Sequence, residues 1–155
     1  MTEVDVVVIG AGPAGENVAG RCAAGGLSTV IVERELVGGE CSYWGCIPSK
    51  TLARPGDVIA AARRVPGAAA AVTGEIDVAA ALARRDYMTS NWDDAGALGW
   101  LESEGIELVR GAGRLAGERT VDVETRSGDV RRLTARKSGV LATVTGVVIP
   151  PIPGL

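Results

Sequence analysis

Two cysteines five positions apart, Cys41 and Cys46, are the residues of this sequence best equipped for chemistry, and a lysine follows at Lys50. A thiol pair can cycle between dithiol and disulfide. On one continuous helix the two side chains would diverge by about 140°, given 3.6 residues per turn. They can pair if Cys41 sits in a loop and Cys46 begins a helix. Pro48 supports that start, because proline is tolerated in the first turn of a helix. A thiol at a helix N-terminus has a lowered pKa and is more often thiolate. Lys50 falls one turn after Cys46 on the same face, where its ammonium would favour a thiolate. A disulfide closing so small a loop gains little from chain entropy, so a redox role fits the pair better than a structural staple. Tetrahedral zinc takes about four ligands. The chain has no histidine and one further cysteine, Cys22, so no metal site is expected. Cys22 falls on the packing side of the first predicted helix and reads as core filler.

A second constellation lies near the N-terminus. Val4 to Ile9 is β-branched and aliphatic apart from Asp5, the pattern of a buried parallel strand. Gly10-Ala11-Gly12-Pro13-Ala14-Gly15 follows at once, and residues 14–24 read as a helix ended by Gly25-Gly26. Thr29 to Val32 is a second apolar strand, ending in Glu33. Strand, glycines, helix, strand and acid in this order form the dinucleotide-binding fingerprint. Gly10 permits the tight turn, Gly12 lets backbone approach a pyrophosphate, and Gly15 lets the helix lie close on the sheet. The helix start offers free N–H groups and a positive dipole end to phosphate. Glu33, roughly 20 residues downstream, can accept from ribose hydroxyls. FAD, NAD and NADP share this cradle, and Glu33 disfavours a 2′-phosphate.

The remaining elements must hold these two sites. Helices are predicted over 56–65 and 77–104, separated at Pro66-Gly67, with Trp92, Leu98, Trp100 and Leu101 as core contacts. Ile106 to Val109 reads as a strand and Gly111-Ala112-Gly113 as a turn. Residues 121–125 and 130–135 alternate around Ser127-Gly128, a β-hairpin pattern. Val140 to Thr143 reads as a closing strand. At 155 residues and 46% hydrophobic, the chain has one domain's worth of core. Its net charge of −3 gives no footprint for nucleic acid or an anionic membrane. There is no basic leader and no apolar stretch long enough to span a bilayer. A cytoplasmic location is the expectation, and thiols there are more often catalytic or inert than structural.

The run Gly38-Gly39-Glu40-Cys41-Ser42-Tyr43-Trp44-Gly45-Cys46-Ile47-Pro48-Ser49-Lys50 resembles the GGTCxxxGCIPSK motif of the pyridine nucleotide–disulfide oxidoreductases. Gly10–Gly15, Glu33 and the final Pro150-Pro151-Ile152-Pro153-Gly154-Leu155 extend that resemblance over essentially the whole chain. Dihydrolipoamide dehydrogenase, glutathione reductase and mercuric reductase belong to this group. The resemblance implies an FAD-dependent enzyme that moves electrons between NAD(P)H, FAD and a Cys41–Cys46 disulfide. Cys41 would be the interchange thiol and Cys46 the charge-transfer thiol against the flavin. Lys50 would lie near the reactive flavin nitrogen. Gly10, Gly12 and Gly15, with Pro13 and Ala14 in the same turn, would cradle the FAD pyrophosphate. Glu33 would hold the adenosine ribose, Gly39 and Glu40 would contact the cofactor through backbone, Ala112 would lie near the adenine, and Thr143 would border it.

The implied fold is α/β, a Rossmann-like FAD-binding domain. Its sheet would be mainly parallel, with helices on one face and a small antiparallel meander on the other. Residues 1–149 would form this domain, in partial form, and 150–155 would begin a linker to an NAD(P)-binding domain. The family is homodimeric and acts on small disulfides or a metal ion. The dimerisation domain and its catalytic histidine have no counterpart in this sequence, so the isolated chain is expected to give little turnover. The family also writes Ala-Thr-Gly where this chain has Ala142-Thr143-Val144. A side chain at that close approach would weaken FAD binding. A non-catalytic flavin-binding remnant and a flavin-free dithiol redox protein are the alternative readings.

Overall fold

The structure is a computed structural model and describes residues 2–143 and 148–154. Among the described residues, five strands and five α-helices follow in the order β1 (Thr2–Ile9), α1 (Pro13–Ala24), β2 (Thr29–Glu33), α2 (Gly39–Tyr43), α3 (Cys46–Arg63), α4 (Val78–Met88), α5 (Ala95–Ser103), β3 (Glu107–Gly117), β4 (Thr120–Thr125) and β5 (Val130–Leu141). The strands pair in chain order and close on themselves as a five-stranded barrel. β1 pairs in parallel with both β2 and β5, and β2 in parallel with β3. β3–β4 and β4–β5 are antiparallel.

Strand β1 shows why a barrel needs apolar residues on both faces. Val7 and Ile9 point into the barrel with Val30, Val32, Val109, Val121, Val123 and Leu133. Val6 and Val8 point outward, against Ala19 of α1 and Leu101 of α5. Val4 also belongs to the interior, out of step with Val7, because β1 bulges between them, where the Asp5 and Val6 N–H groups both donate to Ser28 O. One extra residue in a pair reverses the facing of everything beyond it.

The open, mainly parallel Rossmann-like sheet expected from the sequence is therefore corrected. The sheet is mixed and closed. The second hairpin strand (130–135) and the closing strand (140–143) were expected as separate elements. Most of both forms one 12-residue strand, β5. Its first half pairs with β4, and its pairing with β1 runs from Leu133 to Leu141. The meander is thus in the same sheet as the parallel strands, not on another layer.

Three further boundaries differ. The helix expected over 56–65 is the end of α3, which starts at Cys46 and runs through Pro55. The helix expected over 77–104 is two, parted by a turn at Ser90–Trp92. There Ser90, Asn91 and Trp92 have φ of 51°, 52° and 57°, three consecutive non-glycine residues in the left-handed region. Such a conformation costs about 1–2 kcal/mol per residue, and no α-helix continues through it. Gly111–Gly113 lies within β3 rather than in a turn. A Cβ on Gly113 would stand 3.1 Å from Ile9 Cγ2 and 3.2 Å from Val32 Cγ1. Glycine is used there because the barrel interior is already filled.

Candidate functional site

The glycine turn joins β1 to α1. Gly10 has φ 102°, and a Cβ on it would stand 2.8 Å from the carbonyl carbon of Ala142. A Cβ on Gly15 would fall on the carbonyl of Gly10. These two glycines are required by packing. Gly12 is different: a Cβ there would meet no atom within 4 Å. Gly12 caps α1, Pro13 opens the helix, and no side chain caps its first-turn N–H groups. The first amides of a helix have no partner within it.

Glu33 ends β2 and reaches back to this turn. One carboxylate oxygen accepts from Ala11 N–H at 2.8 Å and the other from Glu35 N–H at 2.8 Å. The carboxylate therefore stitches the strand end to the glycine turn, a structural use that sequence reasoning did not foresee. Each oxygen retains a second lone pair for a hydroxyl donor.

The thiol segment is docked on the same turn. Gly38, at φ 114°, donates its N–H to Ala11 O at 2.7 Å. Gly39 has φ 61°, and a Cβ on it would stand 2.9 Å from Gly12 Cα. Cys41 lies in the single helical turn α2, not in the expected loop. The helix breaks at Trp44-Gly45, and Cys46 begins α3 as the proline pattern required. That break brings the thiols together. Both are free and half-buried, and they are near enough for Cys46 to be the main influence on the Cys41 thiol. The Cys46 side chain, burial and the neighbouring sulfur's charge raise the Cys41 pKa, while the Lys50 ammonium acts against the rise. Lys50 itself is exposed. Cys22 is half-buried and packs against the outer cluster, as the packing-side reading of α1 expected.

A cleft of about 300 Å³ runs between the ends of β1 and β2, α2 and β3. It brings together Gly10, Gly12, Glu33, Gly39, Glu40, Ala112 and Thr143 of the residues singled out in the sequence. Pro13, Ala14, Gly15, Cys41, Cys46 and Lys50 are not among its lining residues. Arg34, Arg114 and Trp44 do line it, and sequence reasoning gave none of them a role. The signal available was weak: a cation directly after the strand-end acid, and another two residues beyond Ala112. Val144, the expected obstruction to FAD, lies outside the described residues.

A polar network supports the approach to the thiols. Asp94 accepts from Val37 N–H at 2.8 Å and from Arg110 Nη2 at 2.7 Å. Burial opposes its ionisation, but these two donors outweigh it and hold its carboxyl below the ordinary range. Arg110 also donates to the carbonyl of Glu35. Trp92 Nε1–H donates to Tyr43 O at 3.1 Å. The Arg85 guanidinium sits 5.3 Å from the Trp92 ring centroid. None of these pairings was legible beforehand. Among the described residues no helix is long and apolar enough to cross a membrane, and no cluster of three or more His, Cys, Asp or Glu could hold a metal ion.

Comparison with known proteins gives a consistent result. The pyridine nucleotide-disulphide oxidoreductase family matches residues 4–155. Dihydrolipoyl dehydrogenase of Chlorobaculum tepidum is 35% identical over 99% of this chain and 32% of its own length. Mercuric reductase of Staphylococcus aureus is 29% identical over 99% of this chain and 27% of its own length. The Cu(II) complex of the HOCl-induced flavoprotein disulfide reductase RclA from Escherichia coli shares the fold, with a TM-score of 0.77 at 24% identity. That match covers 99% of this chain and 31% of that one. The chain thus spans about a third of the length of these relatives.

Proposed function

The chain belongs to the pyridine nucleotide-disulphide oxidoreductase family, and from that premise we propose that it binds FAD and carries the redox-active pair Cys41–Cys46 of an NAD(P)H-linked disulfide oxidoreductase. The observation that supports this most directly is the docking of the thiol segment on the glycine turn. Gly39 lies against Gly12, and two residues later comes Cys41, whose thiol is influenced most by Cys46.

The residues fit the cofactor. Open space beside Gly12 is the cradle that any side chain would fill, and the uncapped start of α1 offers amides to a pyrophosphate. Gly10 and Gly15 hold the backbone that makes this space, with Pro13 and Ala14 setting the helix start. Glu33 would accept from ribose hydroxyls, and Arg34 and Arg114 add positive charge along the cleft. Gly39, Glu40, Ala112 and Thr143 would wall the cofactor. When bound, FAD supplies two-electron exchange between a nicotinamide and a disulfide. Cys41 would attack a substrate disulfide or ligate a metal ion through its thiolate. With a disulfide substrate, Cys41 would break its S–S bond and release one thiol, and Cys46 would attack the mixed disulfide and release the second, so that the two electrons and two protons lost as the Cys41–Cys46 bond forms pass to the substrate's sulfurs. Lys50 would stabilise negative charge beside Cys46.

Residues 1–149 would be the FAD-binding unit and 150–155 its connection onward. The NAD(P)H-binding part and the homodimer contact are assigned to the two thirds of the relatives' length that this chain does not match. A cytoplasmic setting suits a dithiol that must cycle.

The test is the colour of the purified chain after incubation with FAD and gel filtration. Retained flavin absorbance, with a Cys41–Cys46 disulfide detected by mass spectrometry after mild oxidation, supports the proposal. Failure to retain flavin overturns it. One observation favours a second reading, a dithiol that works without flavin: neither sulfur lines the cleft. A colourless chain that still forms the disulfide would establish that reading.

A further inference from the structure

Helix α2 has five residues, too few to be stable alone. Its geometry, and with it the meeting of Cys41 and Cys46, must come from its neighbours. The glycine turn supplies one hold, Gly38 N–H to Ala11 O. The connector between α4 and α5 supplies the others. Trp92 Nε1–H reaches Tyr43 O, a terminal carbonyl of α2 with no partner in its own helix. Asp94 accepts the buried Val37 N–H, two residues before Gly39. The same connector contains the three left-handed residues Ser90, Asn91 and Trp92. Strained backbone of this kind persists only where the surroundings impose it, and it concentrates at sites that need a fixed geometry. Thr89 anchors its start by donating its hydroxyl toward Arg85 O and Asp86 O, each at 3.1 Å. Arg110 anchors its end through Asp94.

We infer that Trp92 and Asp94 are positioning residues for the thiol pair, holding α2 and its lead-in so that Cys41 stays within bonding reach of Cys46. The inference rests on the redox reading of that pair. The hydrogen bonds of both residues go to groups other than the sulfurs. Each acts by capping backbone that the short helix cannot satisfy itself. Loosening them widens the separation that the sulfurs explore, which lowers the equilibrium constant for closing the disulfide.

The experiment equilibrates the chain in glutathione buffers and measures the Cys41–Cys46 disulfide by mass spectrometry, at a temperature where every variant is folded. Trp92→Phe keeps the ring and loses the N–H. Asp94→Ala loses the acceptor, and Asp94→Asn restores an oxygen for Val37. Trp92→Phe and Asp94→Ala should each lower the constant at least about fivefold, the scale of one net hydrogen bond, with Asp94→Asn recovering most of it. Val121→Ala, a cavity in the barrel interior, should lower the melting temperature and leave the constant unchanged. A constant unmoved by Trp92→Phe, or moved equally by Val121→Ala, overturns the positioning role. A parent chain that forms no Cys41–Cys46 disulfide overturns instead the reading of the pair on which the role rests.

Discussion

Gly39 rests on Gly12 so closely that a Cβ on the first would stand 2.9 Å from the Cα of the second. This backbone contact joins the thiol segment to the glycine turn between β1 and α1. The two glycines should nevertheless answer differently to alanine. Gly39→Ala meets both the contact and a φ of 61°, and should cost about 1–3 kcal/mol of stability. Gly12→Ala meets nothing within 4 Å. It should leave the denaturant midpoint near that of the parent while weakening FAD binding at least about tenfold, the effect of a methyl group where backbone must approach a ligand. Equal loss of stability in both variants would contradict this division.

Glu33 is expected to matter before any ligand arrives. Glu33→Ala leaves Ala11 N–H and Glu35 N–H without their acceptor, a loss of about 1–3 kcal/mol for a poorly solvated donor. Glu33→Gln keeps one oxygen and should lose less than half of that. Urea titration of the flavin-free chain measures this term apart from ribose recognition.

Cys41 should titrate late. The Cys46 side chain, burial and the second sulfur's charge push it up, and Lys50 pulls the other way. In the fully reduced chain, alkylation of Cys41 by iodoacetamide should reach half-maximal rate above the ordinary thiol value of about 8.5. Cys46→Ala should shift the profile down, and Lys50→Met should shift it further up. A Cys41 profile unmoved by Cys46→Ala would show that the sulfurs are not in contact.

Asp94 makes stability depend on acid. Its folded pKa lies below the unfolded value, so its contribution is present above the unfolded carboxylate pKa of about 3.9 and is lost as pH falls through the folded one. Asp94→Asn should be less stable than the parent at neutral pH, and the difference should shrink on acidification below about pH 4. Asp5, held down by Arg136 and Ser28, and Asp122, held down by Arg132, keep some acid slope in both proteins. A constant gap from pH 7 to pH 3 would rule out Asp94 as the group responsible.

The parts legible in the sequence were those that need rare residue types at fixed spacing. Only glycine serves at Gly10 and Gly15, and a five-residue spacing lets the thiols meet only if the helix breaks between them. The structure places that break at Trp44-Gly45. Less was legible where partners are distant. Val37 and Asp94 are 57 positions apart, and nothing local marks them as a pair. The split between α4 and α5 carries no glycine or proline, because Ser90, Asn91 and Trp92 hold left-handed backbone that glycine would usually supply. Barrel closure was missed at Arg136-Lys137-Ser138, which reads as a polar break between strands. These residues are exposed positions of β5, and Arg136 donates to Asp5 and Ser28 across the sheet.

The pairing of β1 with β5 orders events in time. Arg136 reaches Asp5 131 positions earlier in the chain, so β1 must wait for β5 before the two can pair. Until then β1 has β2 on one side and an unpaired apolar border on the other. Contacts of such long sequence separation slow folding and leave sticky intermediates at large. The nascent polypeptide therefore has a commitment point near Leu141, before which the barrel cannot shut.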